Sequence, residues 1–167
     1  MKVEVTSRKV FGSIKVPSSK SSAHRALICA SLAKNQKSII TNLDISDDIN
    51  ATINALSSLG ASIKLEGNKA IVIGTNMEIR GKCEFDANES GSTLRFLIPL
   101  CANLAKRGKK VVYIDTEGGI SVDRIRQISG EDFDIVAKNI IVFEPTSFKE
   151  QEEDLGLIES WRSSNSA

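Results

Sequence analysis

Apolar and polar residues alternate with a period of two over Lys2 to Thr6 and again over Ser13 to Val16, which predicts two short strands broken at Phe11-Gly12. Pro17 closes the second strand, since proline has no N–H to give to a ladder. The period then changes. Across SSKSSAHRALICASLAK, Ala23, Leu27 and Ala30 recur at helical spacing behind serines able to cap exposed N–H groups. Ser38 to Asn42 reads as a brief strand. A second helix begins at Ser46-Asp47-Asp48, carries Ile49, Ile53, Leu56 and Leu59 on one face and stops at Gly60. Ile63 to Leu65 and Ala70 to Ile73 form a hairpin around Gly67-Asn68.

A strand over Cys83 to Asp86 leads into the polar turn Asn88-Glu89-Ser90-Gly91-Ser92, which opens a third helix bearing Leu94, Leu97, Ile98, Cys101 and Leu104. Pro99 is expected to kink it. The run VVYID is almost wholly apolar, as for a strand covered on both faces in a parallel sheet. Ser121 to Gln127 reads as a helix and Asn139 to Glu144 as a buried strand. Phe148 to Trp161 reads as an acidic amphipathic helix, with Phe148 and Trp161 as core anchors and Glu150 to Asp154 as a solvated face. The tail RSSNSA is expected to fray. Alternating strands and helices make this an α/β chain, with a βαβαββ unit over residues 1 to about 80 followed by βαβαβα.

Composition agrees with a folded chain. Of 167 residues, 41% are apolar and 26% charged, which excludes collagen-like, disordered and membrane-spanning classes. The N-terminus lacks a basic patch followed by an apolar block, so a cytoplasmic location is expected. Cys29, Cys83 and Cys101 are odd in number and set among apolar neighbours, which fits buried reduced thiols, with no disulfide framework and no metal site. The net charge of +1 conceals +4 over residues 1–104 and −3 over residues 105–167. Neither value makes the concentrated basic face that nucleic acid requires.

Lys20, Ser21 and Arg25 are the main candidates for chemistry. Lys20 and Ser21 stand at a helix N-terminus, where the dipole and free N–H groups favour anions, and Arg25 follows one turn after Ser21. A phosphate or carboxylate suits such a place. The same spacing also fits a solvated, serine-capped helix start with Arg25 paired to a nearby acid. His24, the one histidine, reads as a helix-surface residue.

Three blocks, VPSSKSSAHRALICASLA, SDDINATINALSSLGASIK and NESGSTLRFLIPLCA, resemble in order and spacing the N-terminal part of EPSP synthase, the shikimate-pathway enolpyruvyl transferase. The resemblance implies that Lys20, Ser21 and Arg25 contact shikimate 3-phosphate and phosphoenolpyruvate, and that Gly91 lies beside the phosphoenolpyruvate site. Glu89 stands where many members have Asn. No cofactor is expected, and the expected partner is a small anion, namely phosphate, shikimate 3-phosphate or phosphoenolpyruvate, held weakly because the family's opposing wall of the cleft is not recognisable here. The family's unit packs against sister units, so a homodimer is one way for this one to bury its open face.

That resemblance ends near residue 104. LAKRGKKVVYIDTEGGISVDRIRQI and NIIVFEPTSFKEQEEDL resemble instead an archaeal RecA-family recombinase paralogue of the RadB type. The resemblance implies for Glu117 the role of orienting a water beside ATP, but the phosphate-binding loop G-x-x-x-x-G-K-[ST] is missing. Asp115 and Glu117 also read simply as polar residues ending a strand. The chain is therefore read as two segments, 1–104 and 105–167, fused inside the third helix as a chimera. The expected function is a weak phosphate or carboxylate site without catalysis. The alternatives are an active enolpyruvyl transferase, a RecA-like ATP-binding or DNA-repair module, and a pure scaffold.

Overall fold

The computed structural model describes residues 3–4, 9, 11–14, 16–79 and 81–164. Helix α1, Lys20–Leu32, starts where Ser19 takes extended backbone and its hydroxyl accepts from the Ser22 N–H at 3.3 Å. Strand β1, Lys37–Ile40, follows, and then α2, Asp47–Ser58, capped by Ser46 with Asp47 and Asp48 in its first turn. Gly60, at φ 99°, takes the left-handed conformation that ends α2. Strands β2, Ser62–Glu66, and β3, Lys69–Ile73, form the hairpin, and β1 pairs antiparallel with the other side of β3. The sheet order is β1-β3-β2.

Helix α3, Gly91–Lys106, runs unbroken through Pro99, with the Ser90 hydroxyl accepting from the Thr93 N–H at 3.2 Å. Strand β4, Val111–Ile114, then pairs in parallel with β5, Ile140–Phe143. Between them lie α4, Val122–Ser129, a 3₁₀ turn at Gly130–Asp132, and α5, Phe133–Ala137. Helix α6, Phe148–Ser164, comes last. The architecture is α/β.

Two apolar clusters share α3. Leu27, Leu43, Ile49, Leu56 and Val72 form the first with Leu97, Leu100 and Leu104; Tyr113, Ile125 and Val136 form the second with Ile98, Cys101, Ala102 and Ala105. Alternate stripes of one helix thus serve both groups, and each fully buried Leu or Ile contributes roughly 1.5–3 kcal/mol. Burial pushes the Cys101 thiol up to about 11. Across the second cluster, the Asn139 amide donates to Ala105 O at 3.1 Å and to Ile135 O at 3.0 Å, and Lys106 pairs with Asp132 at 2.6 Å.

Several expectations change. The expected strand over residues 2–6 falls largely outside the described residues, and the described Val3 and Glu4 are not in a strand. Of residues 13–16, Ser13, Ile14 and Val16 are described; they are exposed and form no strand, and among the described residues β1, β2 and β3 form ladders only with one another. Residues 83–86 likewise are not in a strand, although Cys83 and Phe85 pack on the first cluster. The β4–β5 pair is not covered on both faces, since Ile141 is 37% exposed. Phe148 and Trp161 are not core anchors: Phe148 is 88% exposed and neither belongs to a cluster. Cys29 is exposed, while all three thiols are free. Helix α5 was not expected, and α6 extends past Trp161 to Ser164; residues 165–167 of the tail lie outside the described set.

Candidate anion site at the first helix

The chain entering α1 is held by a reciprocal clamp. Ser18 N–H donates to Asp44 Oδ2 at 2.6 Å, and Asp44 N–H donates to Ser18 Oγ at 3.1 Å. This fixes the α1 N-terminus against the loop that leads into α2. Lys20, Ser21 and Arg25 are all exposed there, within one and a half turns of one another. Lys20 Nζ pairs with Asp48 in the first turn of α2. Arg25 pairs with no acid among the described residues; its Nη1 donates to Ser21 O at 3.3 Å and its guanidinium stacks 4.9 Å above the Phe96 ring of α3. The bland expectation for Arg25, an ion pair, is replaced by a cation–π contact across 71 residues.

His24 is not a surface residue. It is 1% exposed, with Nδ1 hydrogen-bonded to Thr52 Oγ1 at 2.7 Å and its ring 5.5 Å from that of Phe96. Thr52 continues to Thr93 at 2.8 Å, and Thr93 to Ser90 at 2.8 Å, with Thr93 Oγ1 also donating to Asp48 O at 3.3 Å. Three helices are joined behind the site by this buried chain. Sequence reasoning missed Thr52, Thr93, Arg95 and Phe96. The spacing of Thr52 with Ile49, Ile53 and Leu56 on the buried side of α2 was the available signal.

Burial holds the His24 imidazole below the usual histidine value; Lys20 and Arg25 act in the same direction and Asp48 opposes them. A lowered value means the unfolded chain binds the extra proton first. The stabilisation is therefore complete above pH 6.5 and is lost as pH falls from there through the lowered folded value. Urea unfolding between pH 7.5 and 5 is expected to lose stability with a slope of at most about 1.4 kcal/mol per pH unit, and His24→Gln should flatten it. An equal slope in both proteins would remove His24 as its source.

Gly91, the fourth candidate, starts α3 and is not joined to Lys20 or Arg25 by any described hydrogen bond or ion pair. It faces Glu117, whose carboxylate stands where a Gly91 Cβ would be. Arg95 Nη2 lies 3.9 Å from Glu117 Oε2, and Leu94, Asp115 and Ile120 complete a narrow groove there. Asp115 is buried and builds the turn after β4, accepting from Ile120 N–H at 2.7 Å and Glu117 N–H at 3.2 Å. It acts as a turn former. Among the described residues no group of three or more His, Cys, Asp or Glu is placed to hold a metal, and no helix is long and apolar enough to cross a membrane.

The capped helix start bearing Lys20, Ser21 and Arg25 belongs to an α/β unit in which strands back the helices. The family model of EPSP synthase (3-phosphoshikimate 1-carboxyvinyltransferase) matches residues 5–121, and the chain belongs to that family. A 3-phosphoshikimate 1-carboxyvinyltransferase of Clostridium perfringens is 48% identical over 125 residues, covering 67% of this chain and 29% of the relative. Over a different segment, the DNA repair and recombination protein RadB of Methanobrevibacter smithii is 68% identical across 62 residues, or 37% of this chain and 26% of that protein. RadB of Methanothermobacter thermautotrophicus is 43% identical over 102 residues, 60% of this chain and 44% of its own length. The chain thus spans less than half the length of each of these relatives.

Proposed function

We propose that this chain is a fusion of EPSP-synthase-like and RadB-like segments that keeps a weak phosphate or carboxylate site and does not turn substrate over. The reading rests on one observation: Lys20, Ser21 and Arg25 share the exposed, serine-capped start of α1. An anion placed there meets free N–H groups, the positive end of the helix dipole and two cations. Asp48 already matches the charge of Lys20, leaving a net +1 from Lys20, Arg25 and Asp48. Solvent also screens the site. Affinity should be about millimolar, near −4 kcal/mol, and should fall as salt rises.

Titrating phosphate or shikimate 3-phosphate by NMR should move the amides of Ser19 to Ala23 first, and Arg25→Ala should abolish those shifts. Shifts spread evenly over the chain, or none at 50 mM ligand, would refute the site. Catalysis needs a proton donor at the phosphoenolpyruvate methylene and a base at the hydroxyl. Beside Lys20 and Arg25 the near candidates are committed elsewhere, Asp48 to Lys20 and His24 to Thr52 in the interior. No inorganic phosphate is expected from shikimate 3-phosphate plus phosphoenolpyruvate. Release that disappears in Lys20→Ala would overturn the inactive reading.

A further inference from the structure

Strand register sets out rows across the outer face of the β1-β3-β2 sheet. Lys37, Ile73 and Ser62 form one row, Ile39, Ile71 and Lys64 the next, and Lys69 faces Glu66 beyond them. Ala70 and Val72 point the other way, into the cluster beneath α1 and α2. Ile39 and Ile73 remain 60% and 46% exposed. The face is apolar at its middle and carries three lysines against one glutamate.

Helix α6 has the opposite charge. Phe148, Glu152, Leu155 and Glu159 recur at i, i+4, i+7 and i+11, so they line one side of it. Phe148 is 88% and Leu155 44% exposed, and both glutamates are exposed. From Phe148 to Trp161 the helix carries Glu150, Glu152, Glu153, Asp154 and Glu159 against Lys149 alone. Among the described residues, no other helix or strand packs closely against it.

We infer that α6 of one copy lies across the outer sheet face of a second copy. Phe148 and Leu155 cover Ile39, Ile71 and Ile73, while Glu152 and Glu159 meet Lys37 and Lys64. The occupant is a second copy because charge and apolar spacing complement each other on two surfaces of the same chain, and among the described residues α6 does not pack closely against its own sheet. Each contact joins a helix patch to a sheet patch, and when two copies exchange helices about a two-fold axis the contact is made reciprocally, so the dimer is closed and isologous. The exchange creates the contact twice, which brings a single-helix footprint toward the roughly 800 Å² per partner of a stable interface.

Sedimentation equilibrium of the full chain in 50 mM salt should give a dimer whose dissociation constant rises at least tenfold in 0.5 M salt. Lys37→Glu/Lys64→Glu and Glu152→Lys/Glu159→Lys should each weaken self-association at least tenfold. Mixed together, the two variants form one contact of native sign and one with the signs reversed, and should dimerise with each other. That restoration also establishes that both variants fold. A wild-type chain that stays monomeric at several hundred micromolar in 50 mM salt overturns the inference. So does a dimer indifferent to both variants, or a mixture that fails to associate after each variant has lost its own dimer.

Discussion

Gly74→Ala is expected to destabilise the protein by about 3 kcal/mol or more, read from the urea midpoint. Gly74 leaves β3 against the C-terminal end of α1. There its N–H donates to Gln36 O at 3.1 Å and its carbonyl accepts from Asn35 N–H at 3.0 Å. A Cβ at this position would overlap the Ala33 carbonyl oxygen and stand 2.7 Å from Ala30 O. Both neighbours are backbone, so relief requires the strand to withdraw and both hydrogen bonds to lengthen. Gly156→Ala, in α6 with open space around it, is the control and should be neutral or slightly stabilising. A loss below about 0.5 kcal/mol at Gly74 would mean that this junction yields without cost.

Leu97→Ala and Ile98→Ala should each cost about 3 kcal/mol, within the usual range for emptying a buried Leu or Ile site. The two side chains are adjacent in sequence yet enter different clusters, Leu97 the one under α1 and α2 and Ile98 the one against Tyr113 and Val136. If α3 couples those clusters, each variant shifts one cooperative transition seen equally by a probe in either half. Hydrogen exchange at Leu56 and at Val136, one in each cluster, should then report the same midpoint. Two separated transitions, with Leu97→Ala moving one and Ile98→Ala the other, would mean that the two clusters unfold independently.

What was legible in the sequence was local. Ser19, Ser46, Ser90 and Ser121 cap helices because a hydroxyl needs to reach only three residues ahead, and the helical spacing of Ile49, Ile53 and Leu56 marks a buried face without further information. Strand formation at 13–16 and 83–86 was not legible, since alternation says a segment can pair but not that an edge is available. Distance in sequence hid the rest. Arg25 meets Phe96, and His24 meets Thr52, through the packing of separate helices, and no window around residue 25 contains either partner. Phe148 misled because apolar spacing on a helix implies a covering layer without saying which molecule provides it.

The hydroxyl chain behind α1 has a sense of direction. Thr93 gives its single proton to the Asp48 carbonyl, which can only accept, so Thr52 must donate to Thr93, and Ser90 must do the same from the other side. Thr52 then has no proton left for the imidazole. His24 must therefore carry its hydrogen on Nδ1, leaving Nε2 a bare acceptor, and Nε2 is the ring nitrogen with no described partner. Acidification adds a proton at Nε2 without reversing a single hydroxyl. The neutral and charged forms share one arrangement, and the added hydrogen sits on a buried nitrogen that has no described partner to receive it.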